Sequence, residues 1–332
     1  MKTTTHQFKL LFVLLITLVL LAGLAGCNRA TPTPEITPSA TATPEATATA
    51  TPAPSKIVLL DPAAQAGLDL TDVMNEFATA NSLVFETWTS ITGDLNGVKI
   101  MVVNGGLDNV TDVAAAAPQT QFVLLGQNGS PAGNISTLTT NPTHLSFMAG
   151  FLAAMTSEDW RAAALIEEDA ALGLVDAFVN GGSYLCGLCT PIYAPLLYYP
   201  QVYTVPPQSD LTVWSTQATA LITETTPDTA FIGAAGDDPA VLDLFSDAIL
   251  FSSNTASPNL ARYAAILGAD SASALEQALP DLLAGNGGKS LTARIGLVRI
   301  NNPEIVTDAK KALFDQTAQD LADNKINPQS VP

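Results

Sequence analysis

The chain has 332 residues, with 13 Lys and Arg against 31 Asp and Glu, and a net charge of −18 at pH 7. So acidic a chain repels phosphate backbones and anionic headgroups, which argues against nucleic acid as a partner. Hydrophobic residues make up 47% of the sequence, enough to fill a large core.

At the N-terminus, Lys2 and Lys9 precede an apolar run from Leu10 to Gly26, and small residues lead up to Cys27. This is the pattern of an export signal with a cleavage site. The quartet Leu24-Ala25-Gly26-Cys27 resembles the bacterial lipobox, in which the cysteine thiol is diacylated and the chain is cut just before it. Residues 1–26 therefore read as a lipoprotein signal peptide and Cys27 as the lipid-bearing residue. The expected place is the extracytoplasmic side of a cell membrane, periplasmic or cell surface, with the lipid as the only membrane contact. Cleavage would remove Lys2 and Lys9 and take the charge from −18 to −20. Residues 27–55 follow as a Thr/Pro-rich linker without apolar clusters to bury. In extended geometry the string Ala30–Ser55 reaches at most about 80 Å.

From Lys56 onward, strands and helices alternate. KIVLLDP reads as a buried strand, and DLTDVMNEFATANS as a helix with Leu70, Val73, Met74 and Phe77 on one face. LVFETWTSI and NGVKIMVVNGG are strands, NVTDVAAAAP a helix halted near Pro118, and TQFVLLGQN and NISTLTTN strands. THLSFMAGFLAAMTSE is a long apolar helix, WRAAALIEED a strand, and ALGLVDAFVNGG a helix stopped by glycine. PQVYTVPP, TVWSTQATALITET, TAFIGAAGDD, PAVLDLFSD and AILFSSN continue the alternation, and four more segments close the chain, LTARIGLVRI among them.

Strands that are apolar throughout, alternating with helices, imply parallel sheets covered on both faces. About ten strand candidates are many for one sheet, so two doubly wound lobes are the economical solution. The expected fold is α/β over residues 56–332. The first lobe would cover about 56–155 plus a later segment, and the second about 156–255 plus the C-terminal segment. Ligands in such sheets sit outside the carboxyl ends of the strands. Those ends carry Asp61, Asn104, Gln127, Asp169, Asp237 and Asn254. Asp61 and Asp237 would accept hydrogen bonds from ligand hydroxyls, with Asn104, Gln127 and Asn254 as orienting amides. Glu167 and Asp169 would suit a cationic ligand. Trp88, Phe147, Tyr203 and Trp214 are the aromatics available for stacking, with core packing expected to take at least two of them.

SFMAGFLAAM, from Ser146 to Met155, resembles a helix of the basic membrane lipoprotein family, where it reads SFLAGYLAA. That family comprises substrate-binding lipoproteins of ABC importers, including purine-nucleoside receptors. AAAAPQTQFVLLGQN before it is similar to that family's helix, proline and strand, and ARIGLVRI and LADNKINP to its last strand and closing helix. The resemblance implies a type 1 periplasmic-binding fold, a small polar solute held between two lobes, an ABC permease as partner, and a monomer. Three places depart from the family, the first being its asparagine-containing motif after the first strand, of which only Asp61 is in position. His144-Leu145 stand where an acidic residue and glycine are usual, and Glu167-Glu168-Asp169 replace a glycine-rich loop.

Other chemistry finds little support. Cys186 and Cys189, in CGLC, are expected to pair as a structural disulfide in an exported chain. A redox pair would open a helix after a strand, and zinc needs more ligands than two cysteines. His144 is the only histidine after residue 26 and reads as a helix-terminal or hinge residue rather than a general base. No G-x-S-x-G elbow, phosphate loop or H-E-x-x-H occurs. The expectation is a binding protein without catalytic residues, metal or cofactor. Its rival is a sensing or structural surface lipoprotein.

Overall fold

The computed structural model describes residues 54–62, 68–127, 130–169 and 172–329. The signal segment, Cys27 and the linker up to residue 53 lie outside the described residues.

Two six-stranded sheets organise the chain from Pro52 onward. The first contains β1 (Lys56–Leu60), β2 (Val84–Trp88), β3 (Val98–Asn104), β4 (Gln121–Leu125), β5 (Ile135–Thr140) and β11 (Ser290–Ala293). Its order is β11-β5-β4-β3-β1-β2, and every pairing is parallel. The second contains β6 (Ala162–Glu167), β7 (Gln201–Val205), β8 (Thr229–Ile232), β9 (Ile249–Ser252), β10 (Ala265–Ala269) and β12 (Ile295–Ile300). Its order is β12-β10-β9-β8-β6-β7, parallel except for β12, which runs against β10.

The parallel arrangement follows from the apolar runs. Ile57 to Leu60 are buried in an unbroken row. Their side chains still alternate: Ile57 and Leu59 join the core under the helices α1 (Leu68–Ala80) and α7 (Ser271–Leu283), while Val58 and Leu60 face the opposite core. Each face of this sheet thus has its own core, and the second sheet repeats the pattern. Its helices are α3 (Pro142–Thr156), α4 (Leu174–Leu185), α5 (Leu211–Thr225) and α8 (Asp308–Ala322). Two short α-helices, α2 (Val110–Ala116) and α6 (Pro239–Leu242), complete the set among the described residues.

Three connections join the lobes: β5 to α3, β10 to α7, and β11 to β12 through Arg294. The first two leave the carboxyl ends of parallel strands, as does β11. The carboxyl edges of the two sheets therefore face each other.

Three expectations change. The first lobe ends near residue 140 rather than 155, because α3 is almost uniformly apolar and packs into the second lobe's core with α4 and α8. The helix over 174–185 does not stop at Gly181-Gly182 but runs on to Leu185. A Cβ on Gly150 would stand 2.0 Å from the Phe178 carbonyl oxygen, and one on Gly181 1.9 Å from that of Phe147. These glycines are the contact surface that lets α3 and α4 cross backbone to backbone. Finally, LTARIGLVRI is two strands in two sheets, divided at Arg294.

Candidate functional site

Each carboxyl edge carries an aspartate bonded to an asparagine from a neighbouring strand end. In the first lobe, Asp61 follows β1 and Asn104 ends β3, and the parallel register of these strands brings them together. Asn104 Nδ2 donates to Asp61 Oδ1 at 3.1 Å, and the Asp61 N–H donates to the Trp88 carbonyl at 2.8 Å. Asp61 is buried. Gln127 Nε2 donates to the carbonyl of Gly105, whose φ of +108° turns the loop after β3 and suits glycine.

In the second lobe, Asp237 follows β8 and Asn254 follows β9. Asn254 Nδ2 donates to Asp237 Oδ2 at 2.8 Å. Asp237 Oδ1 also accepts from Tyr263 Oη at 2.7 Å and Asn259 Nδ2 at 3.2 Å. Burial and the bond to Asp237 push the Tyr263 phenol well above its ordinary pKa. The sequence does not mark Asn259 or Tyr263; they flank the single 3-10 turn Leu260–Arg262 in the run between β9 and β10.

Asp169 lies at the carboxyl end of β6 beside Glu167 and Glu168, all exposed. Glu167 Oε1 accepts the backbone N–H of Gln208 at 3.2 Å. Phe147 does not join this edge. It is 1% exposed in the α3–α4 interface, with its ring centroid 5.7 Å from that of Tyr184. Its position on a helix buried all round aims it into the core. Trp214 is buried likewise, against Gly236. Tyr203 donates its hydroxyl to Glu224, and Trp88 donates Nε1 to Glu86 at 2.8 Å. Trp88 ends β2 close to Asp61 and is the aromatic best placed at the first lobe's edge.

The hinge carries a polar clasp. The Asp270 backbone N–H donates to the Arg294 carbonyl at 3.0 Å, and Arg294 Nε and Nη2 reach Asp270 Oδ2 at 2.8 and 2.7 Å. Asp270 also caps α7 through the Ser273 N–H at 3.1 Å. Burial by itself raises the Asp270 carboxyl, but the Ser273 N–H and Arg294 outweigh it and hold the group below the ordinary aspartate range. A carboxyl depressed in the folded state contributes stability that is complete above its unfolded pKa of about 3.9 and is lost as the pH falls through the folded value. Asp270→Asn should therefore shrink the drop in urea midpoint between about pH 6 and about pH 3. An unchanged drop would remove Asp270 from the acid response. His144, in the first turn of α3, is half-buried, and burial lowers its pKa.

A cavity of about 360 Å³ lies behind this hinge, lined by Ser273, Gln277, Lys289, Arg294, Gln319 and neighbouring residues, and none of the edge residues borders it. Its cations are already paired, Lys289 with Asp281 and Arg294 with Asp270. Among the described residues, no group of three or more His, Cys, Asp or Glu could hold a metal ion. Cys186 and Cys189 form a disulfide just after α4, with Cα atoms 5.5 Å apart.

No protein-family model matches the chain, and no curated protein matches it. Solved structures do. An ABC transporter solute-binding protein from Conexibacter woesei DSM 14684 aligns at 15% identity and a TM-score of 0.55, covering 82% of this chain and 98% of its own. A transcriptional activator of the comK gene from Bacillus halodurans aligns at 15% identity and a TM-score of 0.50, covering 83% and 100%. The fold is the type 1 periplasmic-binding fold. In open α/β sheets ligands bind outside the carboxyl ends of the strands, and both sheets of this chain end at these edges. The stretch Ser146–Met155, which resembles the basic membrane lipoprotein family, has a structural role: Ser146 Oγ donates to the Leu174 carbonyl at 2.6 Å, and Gly150 admits α4.

Proposed function

We propose that this chain is a lipid-anchored, extracytoplasmic solute-binding protein, which holds a small polar molecule between its lobes for an ABC importer. The observation that carries this reading is the pair of opposed carboxyl edges, each with an Asp–Asn couple, Asp61 with Asn104 and Asp237 with Asn254. A carboxylate steadied by an amide is a fixed acceptor for ligand hydroxyls. No bond is made or broken in this account; ligand binding favours the closed arrangement of the lobes about the hinge. The lipobox-like Leu24–Cys27 supports the anchor, and the Ser146–Met155 resemblance supports kinship with the basic membrane lipoproteins, so a nucleoside is the first cargo to try. The working unit is a monomer.

A thermal-shift screen of residues 52–332, refolded to strip cargo, tests the reading with nucleosides, amino acids, sugars and polyamines. A ligand at about 100 times its Kd adds about 2.7 kcal/mol. A selective rise for one class names the cargo, and a flat panel rejects solute capture. With a responding ligand, Asp61→Asn is expected to weaken binding by about 10- to 100-fold, the loss of a charge-assisted hydrogen bond. Unchanged affinity by calorimetry would remove Asp61 from the site.

A second reading, a sensing or structural surface lipoprotein, is favoured by the full engagement of Asp237, whose carboxylate already serves Asn254, Asn259 and Tyr263. A flat ligand panel would support it.

A further inference from the structure

From Ala177 to Ser209 the sequence contains no Asp, Glu, Lys, Arg or His, in a chain of net charge −18. Within that stretch, the segment joining α4 to β7 turns its apolar side chains outward. Leu188 is 96% exposed, Tyr198 92%, and Ile192, Tyr193 and Leu196 each 72%. Single exposed leucines are ordinary, but five such side chains on one short uncharged segment are not.

The segment is held from behind. The disulfide Cys186–Cys189 brackets Leu188. Asp159 Oδ1 accepts the Ile192 N–H at 2.8 Å, and the Arg161 guanidinium donates to the carbonyls of Tyr193 and Pro195. Arg161 is anchored in turn on Asp159 at 2.8 Å and on the Thr225 carbonyl at 3.2 Å. Asp228 fixes the turn that carries both, accepting from Ser157 Oγ at 2.7 Å and from the Asp159 N–H at 2.8 Å. The polar groups of the clamp thus point inward, and the apolar side chains point out.

We infer that Cys186–Pro200 is a membrane-docking loop that seats the outer pole of the second lobe on an electrically neutral bilayer surface. Leu and Ile give area to bury among acyl chains, and Tyr193 and Tyr198 have the amphipathic rings that settle at headgroup depth. Pro191, Pro195 and Pro200 carry no N–H, and the clamp satisfies three further backbone groups, which lowers the cost of taking this backbone out of water. The absence of charge matters because an acidic protein meets an anionic surface with repulsion, and only an uncharged face approaches without it.

The topology agrees. The loop enters the amino end of β7, so it lies at the pole of the second lobe away from the gap between the sheets, and docking there leaves the gap open. The proposed attachment at Cys27 is compatible with this, because 26 residues in extended geometry would reach about 80 Å. The inference stands apart from the identity of the solute.

Flotation with phosphatidylcholine vesicles tests it, on residues 52–332, which hold both sheets and all four cores and lack the signal segment and Cys27. The unit should float with neutral vesicles and less with vesicles containing phosphatidylglycerol. The triple variant Leu188→Ser, Ile192→Ser, Leu196→Ser should partition at least about tenfold more weakly with an unchanged melting curve, since all three side chains face solvent. As a second measurement, Leu188→Trp should emit fluorescence that brominated-chain phosphatidylcholine quenches beyond the level of the unsubstituted unit. Three results would each overturn the inference: no flotation of the unsubstituted unit, flotation indifferent to the triple variant, or vesicle-independent self-association that the variant abolishes. The last would assign the loop to contact between copies.

Discussion

Gly181→Ala is expected to destabilise the protein by about 3 kcal/mol or more and to lower the melting midpoint by about 10 °C. The added Cβ would stand 1.9 Å from the Phe147 carbonyl oxygen and 3.0 Å from the Phe151 nitrogen. Both are backbone atoms of a helix, so no side chain can rotate aside. Relief requires α3 and α4 to separate, and their contact seals the largest core of the second lobe, with Phe147, Phe151 and Phe178 in it. Glycine in a helix ordinarily costs about 1 kcal/mol relative to alanine, so an exposed helical glycine would gain from the exchange. Here the sign reverses because contact, not propensity, decides. Gly150→Ala should behave alike, since its Cβ would meet the Phe178 carbonyl oxygen at 2.0 Å. Chemical denaturation of both variants checks the prediction, and a loss below about 1 kcal/mol in both would show that the helices have room to part.

Asp237→Ala should cost about 3 kcal/mol and abolish whatever binding the second lobe contributes. Its carboxylate is the shared acceptor for Asn254, Asn259 and Tyr263, which come from the β9 end and from the run before β10. Removing it takes the carboxylate acceptor from Asn254 Nδ2 and from the hydroxyl of Tyr263, a residue only 1% exposed, while Asn259 Nδ2 keeps its bond to the Asp237 carbonyl at 3.4 Å. Tyr263→Phe deletes a single donor and should cost about 1 kcal/mol. Combining the two changes should cost less than their sum, because the hydroxyl is stranded only once. A double-mutant cycle in urea measures this coupling. Strict additivity would mean that Tyr263 and Asp237 do not act as one unit.

The two predictions show different debts to the sequence. The helical pattern of α3 and the glycines of α4 are plain in the one-dimensional text, yet Gly181-Gly182 reads as a stop signal. A glycine that ends a helix and a glycine that lets a second helix touch are the same letter, and only the neighbour distinguishes them. The Asp237 hub was half legible. Asp237 and Asn254 stand at strand ends, where the alternation of strand and helix places a ligand edge. Tyr263 and Asn259 gave no periodic signal because irregular segments encode their contacts through tertiary position alone. Phe147 reads as a cleft residue for a related reason: on a helix apolar all round, no face points out which side meets the cleft.

What the sequence by itself determined is the alternation, the parallel sheets and the polar character of the strand ends. Unbroken runs such as KIVLL and KIMVV cannot be half-solvated, so helices must cover both faces. The charge-free stretch between Ala177 and Ser209 and the pairing of Cys186 with Cys189 were likewise open to reading. What only the tertiary structure decided is allegiance: that α3 belongs to the second lobe, that LTARIGLVRI divides at Arg294 between two sheets, and that Asp270 clasps the hinge. Burial drives each of these choices, and a segment's burial is a property of the partners that cover it. Local pattern fixes which side chains need covering, and the fold fixes what covers them.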